Sequence, residues 1–551
     1  MRWTILFLAC ISPPILAGQQ PSVPADQRVR IDSVFATWDR TNSPGCALGI
    51  DRGGTTIYER GYGMSNLETG QAITPTSIFH VASISKQFAA ASVALLASRG
   101  QLSLDDDIRK HVLEIPAYAT PITVRHLIHH TSGLRDQWVL LRMAGWRQED
   151  LITEDDVLWV VSRQKGVNFK PGDEYVYSNT GYTLLGTIVK RVSGKSLREF
   201  ADAEIFRPLG MSDTHFHDDH AMVVPGRTSA YVRAGDAWRV SIPDFDTYGA
   251  TSLFTTVRDL LKWEHNFATG RVLGAELLTQ MQQPIRLNDG TESPYGFGLV
   301  QGQHRGLRTV GHGGADHGYR ADVIRFVDHD LSVAALCNLG NINPSGLTRR
   351  VGEILLGQHL APLPTAPQVI TLNRQQLERW TGNYFDAKSE LVLRIGFRGD
   401  SLAITQGPVL RPVAEDRFVP PDNQPEYRFN GTGIGVVLDV GSPGPGAPPT
   451  RWQRQPAFTP DAAALRRYAG DFASDEVATQ WRIEARDSVP VLKRPKSADA
   501  TLRAVFLDAF LVESQGLLIR FTQGRGGAVN GFLASAGRVR KVRFDAVNSE
   551  Q

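Results

Sequence analysis

Cysteine is scarce here: three residues in a chain of 551 leave no dense disulfide framework of the kind that staples small secreted domains. Cys10 falls in an apolar leader. Cys46 and Cys337 lie in the strand-like runs "PGCALGI" and "SVAALCNL" and are expected as buried thiols rather than a disulfide pair. An excess of one charge is missing too. Lys plus Arg number 59 against 57 acidic residues, and no basic run stands out, so nothing points to nucleic acid or an anionic membrane. A transmembrane anchor is also lacking. The segment "MRWTILFLACISPPILAGQQ" has one positive charge, an apolar stretch broken by two prolines, and small residues near Ala17 and Gly18. It reads as a signal peptide over residues 1–18, with a lipidated Cys10 as the lesser alternative, and implies export to a periplasmic or extracellular space.

What is present suits a globular chain of several domains: 42% hydrophobic and 21% charged residues, with 52 Gly and 31 Pro to supply turns. "ALGIDRGGTTIYERG" (47–61) predicts two strands around a Gly-Gly turn. "SISKQFAAASVALLASRG" is apolar nearly all round and stops at Gly100, as a buried helix with a glycine cap would. Helical and loop signals alternate to about residue 285. Strand patterns then return in "LRTVGHGG", "ADVIRFV" and "LSVAALCN". Strands at both ends of the first 360 residues predict one sheet closed by those ends, with a helical insertion.

"APLPTAP" marks a boundary near residue 365 and "GSPGPGAPPT" another near 445. Beyond 365 the chain repeats itself. "LERWTGNYF" (377–385) matches "LRRYAGDFA" (465–473), and "LRPVAEDRF" (410–418) matches "LRAVFLDAF" (502–510). Two copies of short alternating segments predict two small antiparallel, lipocalin-like β-barrels, at 371–455 and 460–548, after a first domain at 25–360.

Ser83-Ile84-Ser85-Lys86 places a hydroxyl and an amine one helical turn apart at the start of the apolar helix. A free serine is a weak nucleophile and needs such a neighbour, and burial would lower the lysine's pKa enough to make it a proton acceptor. Alone, the four residues fit equally a helix cap with a surface lysine. Two further elements add context. Tyr177-Ser178-Asn179 ends an extended run before a helix-like stretch, offering a proton relay and an amide that can orient a substrate. His312-Gly313-Gly314 ends a strand, where small residues let backbone N–H groups approach a ligand. Taken singly, these also fit a tyrosine anchoring a turn and a glycine-rich strand end.

In this order and spacing, S-x-x-K, Y-x-N and (K/H)-x-G resemble the serine β-lactamase and penicillin-binding family, class C branch. "ITVRHLIHHTSGL", "PLGMSDT" and "YGFGLV" look like phrases of the same family, and the resemblance covers about residues 28–360. It implies an α/β transpeptidase-like fold, an antiparallel sheet flanked by helices, and no cofactor. It also implies Ser83 as acylated nucleophile, Lys86 helping to deprotonate it, Tyr177 as general base or proton relay, Asn179 on the substrate amide, and His312 on the tyrosine hydroxyl or the substrate. The backbone N–H groups of Ser83 and Ala315 would form the oxyanion hole, with Gly314 lining the substrate site. His312 and Gly313 replace the Lys-Thr pair of efficient class C β-lactamases, which disfavours lactams. The layout of one catalytic domain and two barrels looks like that of secreted D-aminopeptidases.

The substrate expected is therefore a D-residue peptide or amide, with Asp316 available to pair with its free amine. β-Lactamase, carboxylesterase and DD-peptidase activity, or a binding sensor that never turns over, are the alternatives. A DD-peptidase would need a carboxylate pocket, for which Arg305, Arg308 and Arg320 lie close in sequence. "HFHDDH" offers His215, His217, Asp219 and His220 in a metal-like spacing. No later set of ligands answers it, so it reads as a polar loop and no metal is assigned. His126, His129 and His130 read as structural.

Overall fold

In a computed structural model, residues 22–547 are described apart from 364, 423, 442–448 and 487–488. Residues 1–18, read above as a signal peptide, and Cys10 within them fall outside the described residues. The first 360 residues build one six-stranded antiparallel sheet. Its strands are β1 (Cys46–Arg52), β2 (Thr55–Tyr62), β3 (Val300–His304), β4 (Leu307–Asp316), β5 (Tyr319–Phe326) and β6 (Leu331–Cys337), in spatial order β3-β4-β5-β6-β1-β2. The strands from the two ends meet as expected: β1 pairs with β6 from Cys46↔Cys337 to Arg52↔Leu331.

That register corrects the expectation for the cysteines. Cys46 and Cys337 stand directly opposite, with Cα atoms 4.0 Å apart, and form a disulfide. Their burial was legible in the sequence; the strand pairing that brings them together was not.

Alternation along β1 splits the sheet's two faces. Leu48 and Ile50 pack with α1 (Ala25–Phe35) and the helix Pro344–Leu356 on one side, while Ala47 faces the larger core on the other. The larger core is built around α2 (Ser85–Ser98), buried from Ser85 to Leu96. Such an apolar circumference needs neighbours on every side. α3 (Gln137–Ala144), α4 (Asn179–Ser193) and α5 (Val257–Thr269) contribute to the same core.

The C-terminal region folds into two nearly closed, barrel-like antiparallel sheets, of eight strands (Gly382–Asp386 to Thr450–Arg454) and nine (Gly470–Ser474 to Val539–Ala546). In each the first and last strands pair, through Tyr384↔Arg454 and Phe472↔Ala546. The repeat is visible in the elements. Short helices Arg374–Glu378 and Ala462–Arg466 precede the first strand of each copy, with Trp380 and Tyr468 buried at matching places. The boundary expected near 445 is corrected: Val437–Val440 pairs with Thr450–Arg454 within one sheet, so "GSPGPGAPPT" joins two neighbouring strands.

The two barrels differ in attachment. The first closes on its own core around Trp380, Tyr384 and Phe429. The second shares the main core through Trp481 and Phe532. There Trp481 Nε1 donates to the Met143 carbonyl at 3.2 Å, and Arg135 pairs with Glu476 at 2.6 Å with both side chains 5% exposed.

Candidate active site

Ser83 sits in a one-turn 3-10 segment, Ala82–Ile84, just ahead of α2 rather than on its first residue. Ala82 before it adopts φ +47°. A non-glycine residue in that region costs about 1–3 kcal/mol, a strain that gathers at functional sites. Lys86 follows one turn later and is fully buried. Its Nζ lies 3.2 Å from Ser83 Oγ, 2.9 Å from Asn179 Oδ1 and 2.7 Å from the Ala250 carbonyl.

Burial first, and then the positive charge of Arg538, push Lys86 well below the ordinary lysine range. A neutral amine carries two N–H donors and one lone pair. The Asn179 and Ala250 oxygens are obligate acceptors and take both donors, which leaves the lone pair for the serine hydroxyl. Tyr177 lines the same cavity as the serine, and burial raises its phenol above the ordinary range, with Ser83 acting in the lowering direction. Burial therefore favours the neutral form of both groups, the protonated phenol and the uncharged amine.

Two residues that sequence reasoning missed fix this centre. Asp136, fully buried, accepts from the Asn179 backbone N–H at 3.0 Å and from its Nδ2 at 2.9 Å, so that Oδ1 must face Lys86. Its one sequence signal was the N-cap place before the apolar "QWVLLRMA", and it does cap α3 through the Trp138 N–H. Tyr295, from "YGFGLV", bonds His312 Nε2 at 3.0 Å. The resemblance placed His312 on Tyr177 or the substrate; its ring nitrogens bond Tyr295 and the Gly313 carbonyl, and the Tyr177 ring centre lies 6.1 Å away. Burial lowers His312 to about 4, so it is a neutral imidazole at ordinary pH. His130 packs its ring 4.2 Å from that of Tyr177 and accepts the Ser178 N–H.

β4 supplies the opposite wall. Residues 312–316 extend past the last pairing with β3, Val300↔Gly311, and so leave one backbone edge open beside Ser83. Gly314 is required there, because a Cβ would meet the Val81 carbonyl oxygen at 2.2 Å. Gly314, Ala315 and Asp316 line a cavity of about 710 Å³ together with Ser83, Tyr177, Asn179 and His312. Its floor is aromatic, with Trp138 and Phe245 stacked at 4.6 Å. Asp316, the one carboxylate among the described lining residues, accepts from Thr251 at 2.9 Å and pairs with His317 Nδ1 at 3.0 Å.

Of the three arginines suggested by sequence, Arg320 alone lines the cavity; Arg308 pairs with Asp328, and Arg305 bonds the Ala361 carbonyl. The second barrel adds Arg538, which lies 5.4 Å over the Tyr177 ring and 3.6 Å from Asp136. Nothing in the sequence linked so distant a residue to Ser83. The "HFHDDH" residues are split: His215 and His217 pack on Phe254, whereas Asp219 and His220 gather with Asp246 within 4.8 Å on the surface.

Residues 31–357 match the family model described as Beta-lactamase. D-aminopeptidase of Brucella anthropi is 29% identical over 66% of this chain and 68% of its own. Penicillin-binding protein 4* of Bacillus subtilis is 27% identical over 57% and 72%. Among solved structures, the octameric penicillin-binding protein homologue from Pyrococcus abyssi superposes with a TM-score of 0.54 at 22% identity, over 86% of this chain and 98% of that one. D-amino acid amidase from Ochrobactrum anthropi SV3, complexed with L-phenylalanine amide, gives 0.51 at 23%, over 61% and 100%. At such identities these two structures speak for the fold. With the family model matched from one end of the six-stranded sheet to the other, the chain belongs to the Beta-lactamase family and is one of its serine hydrolases.

Proposed function

We propose that Ser83 is acylated by the amide bond after an N-terminal D-residue, and that water then releases the free D-amino acid. The observation that carries this reading is the fully buried Lys86 amine 3.2 Å from Ser83 Oγ, with burial disfavouring its charged form. Lys86 takes the serine proton as Oγ adds to the carbonyl carbon. The Ser83 and Ala315 N–H groups receive the oxyanion. Tyr177 passes a proton to the departing amine as the C–N bond breaks, and regains one by way of Lys86. Water attacks the ester by the reverse route. Asn179, held by Asp136, orients the substrate amide, and neutral His312 with Tyr295 shapes the wall beside it. The free amine of the substrate pairs with Asp316, whose carboxylate keeps acceptor sites beyond those used by Thr251 and His317. The D configuration rests on likeness to the D-aminopeptidases.

The test is intact mass after mixing with an activated D-alanyl ester, its L-enantiomer and a penicillin. A D-alanyl adduct on wild type that is absent from Ser83→Ala is expected. Asp316→Asn should erase any preference for a free over an acetylated amine. No adduct and no release of D-alanine would overturn the reading.

A further inference from the structure

The cavity above Ser83 does not end at Arg142. A second cavity of about 480 Å³ shares Arg142, Trp146, Arg147 and Gln148 with it and continues between α3 and the second barrel. Its described lining includes no acidic residue. Arg147 is neutralised by Asp150 at 2.7 Å. Neither Arg142 nor Arg494 has an ion pair with a described residue, and the one described carboxylate whose charge reaches Arg142 is Asp136, already engaged by Arg538. Arg494 lies 5.6 Å over the buried Trp481 ring, and its Nε is buried without a hydrogen-bond partner. Arg538 stands where the cavities meet, next to Gly537 of the second, and Lys496 lies 6.0 Å over Trp146.

Arginine cannot shed its proton in a protein, so Arg494, half-buried with its Nε unpartnered, loses hydration without compensation in the free protein. A bound anion removes that penalty, and a guanidinium fork fits a carboxylate best. We propose that this groove is a subsite for a carboxylate on the leaving-group side of the substrate, beyond the bond attacked by Ser83. The preferred substrate is then an acidic peptide with an N-terminal D-residue. This rests on the function proposed above and adds the far half of the substrate to it.

The probes are C-terminally amidated peptides of D-alanine followed by three residues. Glutamate occupies the first, second or third of these positions, and each peptide is matched by its glutamine counterpart. Released D-alanine is followed by chromatography. Wild type should favour glutamate at one position by roughly 10- to 100-fold in kcat/KM, the range expected of a hydrogen bond to a charged group. The preference should lie mainly in KM, fall in both Arg494→Gln and Arg142→Gln, and survive in part in Arg494→Lys. Arg142 is at the surface, so its variant stays informative should Arg494→Gln fold poorly. Equal turnover of each matched pair, or a preference that persists in both glutamine variants, would overturn the proposal. Turnover of the glutamine peptides reports on the function separately: its absence sinks the acyl-enzyme reading, and its presence without a charge preference sinks only the subsite.

Discussion

Lys86 is useful to the proposed reaction only while it lacks a proton, and a residue more than four hundred positions away helps keep it so. Arg538 opposes a second positive charge on Lys86, and also offsets Asp136, which favours one. Replacing Arg538 by alanine removes the first influence and frees the second. Both changes raise the lysine. Because the neutral amine is the active form, the acid limb of kcat/KM should move to higher pH in Arg538→Ala, with the plateau at alkaline pH largely retained. An acid limb that stays in place or moves down would show that the barrel's charge does not reach the lysine. Tyr177 should not mimic this shift, since its phenol is already held protonated by burial.

Among elements, the close approach of "YGFGLV" to α2 matters most for geometry. Gly298 has φ +71°, and a Cβ there would lie 2.5 Å from the Gln87 nitrogen and 2.6 Å from the Lys86 carbonyl carbon. Gly298→Ala should push the turn away from Lys86 and carry Tyr295 and His312 with it. A misplacement of about 1 Å can cost 10²-fold in rate, so kcat should drop by about that factor while circular dichroism keeps its native form; unchanged kcat would contradict the packing. This scale also shows what a sequence can disclose. Ser83 and Lys86 were legible because one helical turn separates them, and α2 because its apolar residues run without interruption. The repeated barrels were legible because each copy spells the same Trp/Tyr and Phe places. Asp136 showed only a cap place and Tyr295 only a family phrase, and Arg538 showed nothing, because their roles rest on tertiary contacts. The Cys46–Cys337 bond depended on a register that neither strand specifies alone. The boundary near 445 was misplaced because a proline- and glycine-rich run looks the same between two strands of one sheet as between two domains.

For the whole molecule, the second barrel is held by charge as well as by apolar burial. Arg135 reaches Glu476, Gln164 and the Arg540 and Lys541 carbonyls. Cutting Arg135 back to alanine leaves Glu476 buried without its counter-ion, a loss of about 3–5 kcal/mol in comparable pairs. Thermal unfolding of Arg135→Ala should therefore begin earlier, and the cleft should lose Arg538 as the barrel loosens. A melting curve identical to wild type would mean that the apolar contact around Trp481 suffices.

The bond between Cys46 and Cys337 has a topological consequence. It makes the chain between them a covalent ring, with the two barrels hanging from it as a tail. A protease that cuts once inside the ring opens it without releasing a fragment, whereas a cut beyond residue 337 frees a piece at once. The surface hairpin Tyr231–Ala234/Ala237–Val240 is one place where the ring lies exposed. Protein nicked there should run as one band on a denaturing gel without reductant and as two with it. Two bands under both conditions would show that the ring is not closed.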